Sequence, residues 1–422
     1  MAETSVAVIG AGLAGLETAR QLARAGPDVD VYEAEPSVGG RVQTDTEAGY
    51  TIDRGFQVLF TSYPEAKRAL DFAALDLKRF PAGAIVCRPN HRSVVADPLR
   101  DPFRAIETAF SRDLTVGDKL EVLRLRLALK GKSREDVYSG TDETIVSYLR
   151  DKGFSDRFIE SFAAPFYGGI TLDRSLKTSS RVFQFTFRML TEGVAAIPET
   201  GMQAIPRQLA RRARNHGATI HTDTRVEGIA GTGPVTIDLA GETVSAKTVV
   251  VAAGPEESHR LTGIGSIPTT GRSVRTQYFE VPAPNPIANQ PRIHLNAVGQ
   301  TPNQVVNLSA VAPSYAVGDR ALLAASTPGT TDETPDSDAA KTQETIASWY
   351  PAASFDDLKL VETVDVPFAQ YAQPPGIHET LPEVSEPEGA IYFAGDFTTD
   401  SSINGAFRSG RLAAEAIQQS DP

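Results

Sequence analysis

The chain has one cysteine, Cys87, one tryptophan and only ten lysines in 422 residues. A single cysteine excludes a disulfide framework and any multi-cysteine metal or iron–sulfur site. The six histidines form no His-Glu-x-x-His pattern and no tight cluster, so no metal is expected. No apolar run reaches the roughly 18 residues that a membrane-crossing helix needs. The opening Met1-Ala2-Glu3-Thr4 lacks the basic start of an export leader, which makes the cytoplasm the expected location. Cationic excess is also missing. The 41 Lys+Arg stand against 53 Asp+Glu, a net charge of −12, so no nucleic-acid partner is predicted. The cations divide into 31 Arg and 10 Lys. An acidic, lysine-poor chain suits strong salt, and a GC-rich genome produces the same bias; both readings stay open.

With 41% hydrophobic and 22% charged residues, the chain can bury a substantial core. Its length is near three times a typical domain of about 150 residues, which predicts two or three domains.

The first forty residues carry the strongest signal. Val6-Ala7-Val8-Ile9 suits a strand buried on both faces, as in a parallel sheet. It leads into Gly10-Ala11-Gly12-Leu13-Ala14-Gly15, a G-x-G-x-x-G, and then into a helix ended by Gly26-Pro27. Leu16, Ala19, Leu22 and Ala23 give that helix an apolar face. Val29 to Tyr32 reads as a second strand, ending at Glu33, 18 residues beyond Gly15. In such a unit the first glycine permits the turn, the second lets a pyrophosphate approach and the third allows close packing. The helix N-terminus offers unpaired N–H groups to phosphate. Glu33 is placed to accept from ribose hydroxyls, and its charge disfavours a 2′-phosphate.

FAD and NAD both fit that motif; the next residues separate them. Gly39-Gly40-Arg41 follows the second strand directly. It resembles the G-G-[RK] extension of the flavin-containing amine oxidase, protoporphyrinogen oxidase and phytoene desaturase superfamily. Two later segments extend the likeness. Gly201 opens a basic helix, followed by Thr224-Arg225-Val226-Glu227 and by the apolar strand Thr248 to Ala253 ending at Gly254. Ile391-Tyr392-Phe393-Ala394-Gly395-Asp396 then precedes Ser401 to Arg411 and a closing helix. The resemblance implies an α/β fold in which a Rossmann-type, doubly wound FAD-binding domain carries an inserted mixed α+β substrate domain. The FAD domain is expected at 1–60, 200–258 and 385–422, and the substrate domain at 61–199 and 259–384. Non-covalent FAD is the implied cofactor, since no cysteine lies near the last motif. The implied cofactor-binding residues are Gly10, Gly12, Leu13, Ala14, Gly15, Glu33, Ala34, Gly39, Gly40, Arg41, Gly55, Val226, Gly254, Gly395, Asp396, Ile403 and Ala406. Among these, Val226 is expected to meet the adenine through its backbone and Asp396 the ribityl chain. The helix near Ile403 is expected to direct N–H groups at the isoalloxazine.

The regions between are less legible. Val116, Leu120, Leu123 and Leu127 recur at helical spacing, and Asp142 to Leu149 reads as a helix capped by Thr141. Ser161 to Ile170 resembles the superfamily's F-x-x-P-F-x-x-G turn. Phe183, Phe185 and Phe187 follow, as tunnel lining or plain core. Residues 256–384 look strand-rich, with an acidic stretch from Thr331 to Asp338 before a helix through Trp349. From Lys119 to Arg134 the acidic chain turns basic, with six cations against Glu121. That run predicts either a solvated helix face or a peripheral membrane contact through 119–134.

No catalytic residue is assigned. Amine oxidases of the superfamily place a lysine beside the flavin, yet no lysine lies between Lys247 and Lys341. Tyr371 is a candidate for the flavin face or a buried structural tyrosine. The resemblance is closest to the phytoene desaturase and protoporphyrinogen oxidase branch. It implies an FAD-dependent oxidoreductase removing hydride equivalents from a hydrophobic small molecule, an isoprenoid or tetrapyrrole. A flavin amine oxidase, a redox-neutral isomerase using reduced FAD, and non-catalytic flavin binding are the alternatives.

Overall fold

The computed structural model describes residues 3–96, 114–329 and 333–420. The opening residues fold as β1 (Glu3–Ile9), α1 (Leu13–Ala25) and β2 (Val29–Tyr32). Val6, Ala7 and Val8 are buried, as a strand covered on both faces requires. Gly26 ends α1 in the left-handed conformation, its N–H returning to the Leu22 and Ala23 carbonyls.

The sheet around β1 draws on strands far away in sequence. Its order runs from β3 (Thr219–His221) through β2 and β1 to β6 (Glu242–Val251). These neighbours are all parallel, with Val6 opposite Thr248 and Ile9 opposite Val251. The first half of β6 continues into antiparallel β5 (Val235–Leu239) and β4 (Val226–Ala230). Its second half pairs in parallel with β7 (Ile391–Phe393). Helices α1, α2 (Ala204–Asn215) and α4 (Ile403–Ser420) pack together beside this sheet, and α3 (Pro255–Thr262) follows β6. At Gly410, a Cβ would overlap the Ala14 carbonyl oxygen, so α4 reaches α1 at backbone contact. Thr18 Oγ1 donates to the Gly410 carbonyl there, at 3.1 Å.

A second seven-stranded sheet takes Lys359–Tyr371, Gly271–Pro282, Arg320–Pro328, Gln304–Asn307, Ile293–Asn296, Ala84–Arg88 and His91–Val95, in that spatial order. It is antiparallel except where Ile293–Asn296 meets Ala84–Arg88. Helix Pro335–Trp349 covers one face, burying Ile346 and Trp349 among Phe279, Leu323 and Val305. Asp53 ties this sheet to the chain just before α2. Its Oδ1 accepts from Met202 N–H at 2.9 Å and Oδ2 from Tyr315 Oη at 2.8 Å, while its carbonyl accepts from Tyr278 Oη. Burial raises the Asp53 pKa despite these donors.

Helices dominate 114–192, and three expectations change there. Helix Ile145–Asp151 starts later than expected: Thr144, not Thr141, is its cap, accepting from Ser147 N–H at 3.2 Å. The F-x-x-P-F-x-x-G segment is a π-turn over Ile159–Ala163 running into helix Ala164–Thr171. Pro165, which has no N–H to give, comes directly after the π segment in a continuous helix, where the Ala164 N–H bonds the Ile159 carbonyl. Phe158, Phe162 and Phe166 stack successively along it, at 5.5 and 5.3 Å. Third, the stripe Val116, Leu120, Leu123 and Leu127 does lie on one helix, Val116–Leu129, but faces solvent; Leu125 and Leu129 are the buried pair. Of the acidic stretch, Thr331 and Asp332 lie outside the described residues, and Thr334 caps the helix that follows.

His294 sits buried in the second sheet, stacked on Trp349 and hydrogen-bonded to Tyr350 Oη at 2.7 Å. Burial, with Arg92 nearby, pushes its imidazole down to about 4. The unfolded chain, with a histidine pKa of about 6.5, takes up a proton between those values that the native state refuses. Stability therefore falls as pH drops from about 6.5 toward 4, by about 3 kcal/mol for this group alone. Of this, about 2 kcal/mol falls between pH 7 and pH 5, and urea melts at the two pH values should show His294→Gln losing that much less than wild type.

Candidate functional site

The site grows from the loop between β1 and α1, where three glycines play different parts. Gly10 has φ +103°, and a Cβ there would lie 2.8 Å from the Ala252 carbonyl oxygen just after β6. A Cβ on Gly15 would overlap the Gly10 carbonyl oxygen. These two let backbone meet backbone. Gly12 caps α1 with no side-chain hydrogen bond, no acid stands in the first turn, and a Cβ on it would meet nothing within 4 Å. The first-turn N–H groups of Leu13, Ala14 and Gly15 have no intrahelical acceptor. A positive helix end beside open space fits an anion.

Two further segments close on this loop. Glu33, at the end of β2, accepts from Ala11 N–H at 2.7 Å through Oε2 and from Glu35 N–H at 2.9 Å through Oε1; Ala34 lies between these anchors. Gly39 donates its N–H to the Ala11 carbonyl at 2.9 Å and forms a bridge with Gly12, and a Cβ on Gly40 would lie 3.4 Å from the Gly12 Cα. Arg41 then reaches Asp396 Oδ1 at 2.7 Å and the Ala369 carbonyl at 3.1 Å. Burial works to lower the Arg41 pKa, but the Asp396 carboxylate overrides it, so the guanidinium keeps its proton.

The other predicted residues occupy three places. Gly254 caps α3, two residues beyond the Ala252 that Gly10 touches, with open space where a Cβ would stand. Val226 is buried at the start of β4, its carbonyl accepting from Arg260 of α3 at 3.3 Å. Gly55 stands apart from the loop, against Val274 and Val366 of the second sheet. Gly395 donates to Ser409 Oγ at 2.8 Å, and Asp396 Oδ2 accepts from Ser401 Oγ at 2.8 Å. Ile403 and Ala406 lie in the first turn of α4, where Ser402 Oγ caps the Gly405 N–H at 2.9 Å.

A second group at that helix end is absent from the sequence reading. Arg134 bonds Asp400 Oδ2 at 2.9 Å, with its guanidinium 3.9 Å from the Tyr138 ring centroid. Placing it there removes it from the basic run to which it belongs in sequence. His378 meets the same ring edge-on at 4.8 Å, and burial pushes its imidazole down to about 4, so it is neutral at pH 7. Tyr63, Tyr138, Ile170, Phe185, Gln370 and Ser402 are among the residues lining an enclosed cavity of about 30 Å³. Phe183 is core among Tyr148 and Tyr167, so the phenylalanine series divides between lining and core. Tyr371 is fully buried, and its hydroxyl has no hydrogen-bond partner among the described residues. Burial raises its pKa well above the usual value, so it stays a donor. A larger, open and polar cavity of about 820 Å³, lined by Asp173, Arg174 and Arg272 among others, contains none of the predicted dinucleotide residues. No metal-type cluster of His, Cys, Asp or Glu occurs among the described residues.

The fold and its neighbours define the class. A putrescine oxidase structure superposes with a TM-score of 0.74 at 16% identity, covering 99% of each chain. An oxidoreductase from Methanosarcina mazei superposes with a TM-score of 0.73 at 18% identity, covering 98% of this chain and all of the other. This is the fold of FAD-dependent amine oxidases, a Rossmann-type sheet joined to a second α+β layer. Sequence narrows the class further: a model described as "Flavin containing amine oxidoreductase" matches residues 13–418, and the chain belongs to that family. It is 28% identical over 167 residues to protoporphyrinogen oxidase 2 of Arabidopsis thaliana, 39% of this chain and 32% of that protein. It is 26% identical over 280 residues to a zeta-carotene-forming phytoene desaturase of Myxococcus xanthus, 59% of this chain and 53% of that protein. The chain thus matches about a third to a half of the length of these curated relatives. The family implies a flavin cofactor.

The glycines make separable predictions. Gly12→Ala adds a methyl to open space, so the flavin-free fold should melt within about 1 °C of wild type while bound flavin falls about tenfold or more. Gly15→Ala should instead destabilise the fold by about 2 kcal/mol or more, through backbone overlap. Thermal melts with and without flavin, beside absorbance of the purified proteins, separate the two.

Proposed function

We propose that the chain is an FAD-dependent oxidoreductase that removes hydride equivalents from a hydrophobic substrate, an isoprenoid or tetrapyrrole, with FAD held non-covalently. The dinucleotide would lie along the α1 N-terminus, with the residues named from the sequence holding it: Gly10 to Gly15, Glu33, Ala34, Gly39 to Arg41, Gly55, Val226, Gly254, Gly395, Asp396, Ile403 and Ala406. Gly12 and Gly254 border open space, and the Tyr371 hydroxyl lacks a partner among the described residues; these observations support the fit. The division into 1–60, 200–258 and 385–422 against 61–199 and 259–384 belongs to the same reading, and the membership of the two sheets supports it.

The side chains around the small cavity at the α4 N-terminus carry the functional reading; its 30 Å³ or so is room for one water, so a substrate would part these walls. Its lining is aromatic, aliphatic, hydroxyl and amide, without lysine, arginine or histidine, and its one carboxylate, Asp400, is neutralised by Arg134. Such walls can shape and dry a pocket but supply no strong base. That suits a reaction in which positioning a C–H bond does most of the work. Bound FAD supplies the two-electron acceptor. The protein's share is to hold the carbon framework against Tyr63, Tyr138 and Phe185, to exclude water, and to set N–H groups of the α4 first turn beside developing negative charge. The missing lysine between Lys247 and Lys341 counts against the amine oxidase alternative. A substrate of this kind partitions into lipid, so the reading also brings the enzyme to a membrane surface.

Anaerobic mixing of the flavin-loaded protein with polyenes, porphyrinogens and amines tests this. Bleaching of the flavin band by a polyene or porphyrinogen supports the proposal. Bleaching by amines alone overturns the substrate class, and turnover only after prior reduction transfers the case to the isomerase. Tyr371→Phe removes a hydroxyl with no partner among the described residues. The flavin-free fold should therefore be unchanged or slightly firmer, while the flavin spectrum shifts and affinity falls severalfold, read by titration.

A further inference from the structure

Large apolar side chains are rarely exposed here, and they are not scattered. Among the described residues, Val116 is 75% exposed, Leu120 51%, Leu123 46% and Leu127 63%, all on helix Val116–Leu129; the other exposed large hydrophobics there, Val298 and Val317, lie elsewhere. At about 100° per residue the four fall within an arc of about 60°. Leu125 and Leu129, on the opposite side of the same helix, are buried against Tyr148, Phe154 and Phe158. One face of the helix is thus spent on the protein's own core and the other presents aliphatics to solvent. Asp118 pins the helix in this orientation, accepting from Ser155 N–H at 2.7 Å and from Thr115 N–H at 2.7 Å.

Charge marks the borders of the stripe. Exposed Lys130 flanks it on one side by helical position and Arg124 on the other, and exposed Lys132 follows the helix end. Glu121, which pairs with Arg124, is the one acid between Lys119 and Arg134. Elsewhere the balance is reversed, for the whole chain carries −12. An anionic surface therefore repels most of this protein and attracts this face, which sets the orientation of approach. A second copy of the same basic face would be repelled, so charge selects against self-pairing.

We infer that the stripe Val116, Leu120, Leu123 and Leu127 docks the protein on an anionic lipid bilayer. The helix lies in the interface plane, the aliphatics enter the acyl boundary and the Lys130 and Lys132 heads meet lipid phosphate. The inference adds to the proposed function the surface used and the lipid charge it needs. It is read without turnover, so either can fail alone.

The test is flotation of the full chain, with and without flavin, on phosphatidylcholine vesicles containing or lacking phosphatidylserine. The protein should float with the anionic vesicles at low salt and remain below with the neutral ones. Added NaCl should release it. Leu120→Glu with Leu127→Glu should cut binding about tenfold or more without changing the melting temperature, because both side chains are exposed. Lys130→Glu with Lys132→Glu should weaken binding to anionic vesicles severalfold. A wild-type protein that stays below anionic vesicles at low salt overturns the inference. So does a Leu120→Glu/Leu127→Glu protein that floats like wild type, or a vesicle-indifferent dimer that this double variant disperses.

Discussion

Everything at the candidate site depends on the parallel pairing of β1 with β6, strands separated by more than two hundred residues. Buried strands leave no water to satisfy their N–H and C=O groups, so the register must be exact to the residue along Val6–Ile9 and Thr248–Val251. That register sets Gly10 against the Ala252 backbone, which in turn fixes the loop on which Gly12, Glu33 and Gly39 converge. β7 pairs with the same strand and delivers Gly395 and Asp396 to Arg41. One ladder of hydrogen bonds thus collects residues from the start, middle and end of the chain.

An acidic protein can still build a place for a polyanion. The positive character of the loop comes from backbone N–H groups at the α1 end, which contribute nothing to net charge. The two arginines near the α4 end are each matched to an aspartate, Arg41 to Asp396 and Arg134 to Asp400. These pairs are local and nearly neutral. Net acidity and the site's chemistry are therefore independent, and the surplus of acid is a property of the surface.

Much of the first sheet was legible because its determinants are local. A short apolar strand, a glycine turn, an amphipathic helix and a terminal acid follow one another within 33 residues, each constrained by steric or hydrogen-bonding rules. The separate jobs of Gly10, Gly12 and Gly15 needed three dimensions, since only there does one border open space and the others meet backbone. The Arg134–Asp400 pair joins residues 266 apart and left no trace in either neighbourhood. The Thr141 and Thr144 positions carry the same cap chemistry, and only the tertiary start of the helix chose between them. Periodicity showed that Val116 to Leu127 shares a helix face but not what that face meets. Two buried leucines on the opposite side, not the regular stripe, hold the helix to its core.

The interleaved sheet also has a consequence in time. Ribosomes make β1 well before β6 and β7, so the βαβ unit emerges with one edge of β1 lacking its partner until β6 is made. For that interval the exposed strand edge is a template for wrong pairing, and the nearly continuous apolar run Val6–Ile9 makes it an adhesive one. Only after Gly395 and α4 leave the exit tunnel can the Arg41–Asp396 bond form across the finished sheet. The order of synthesis therefore makes this fold late to close, and the segment from β7 through α4 acts as its latch.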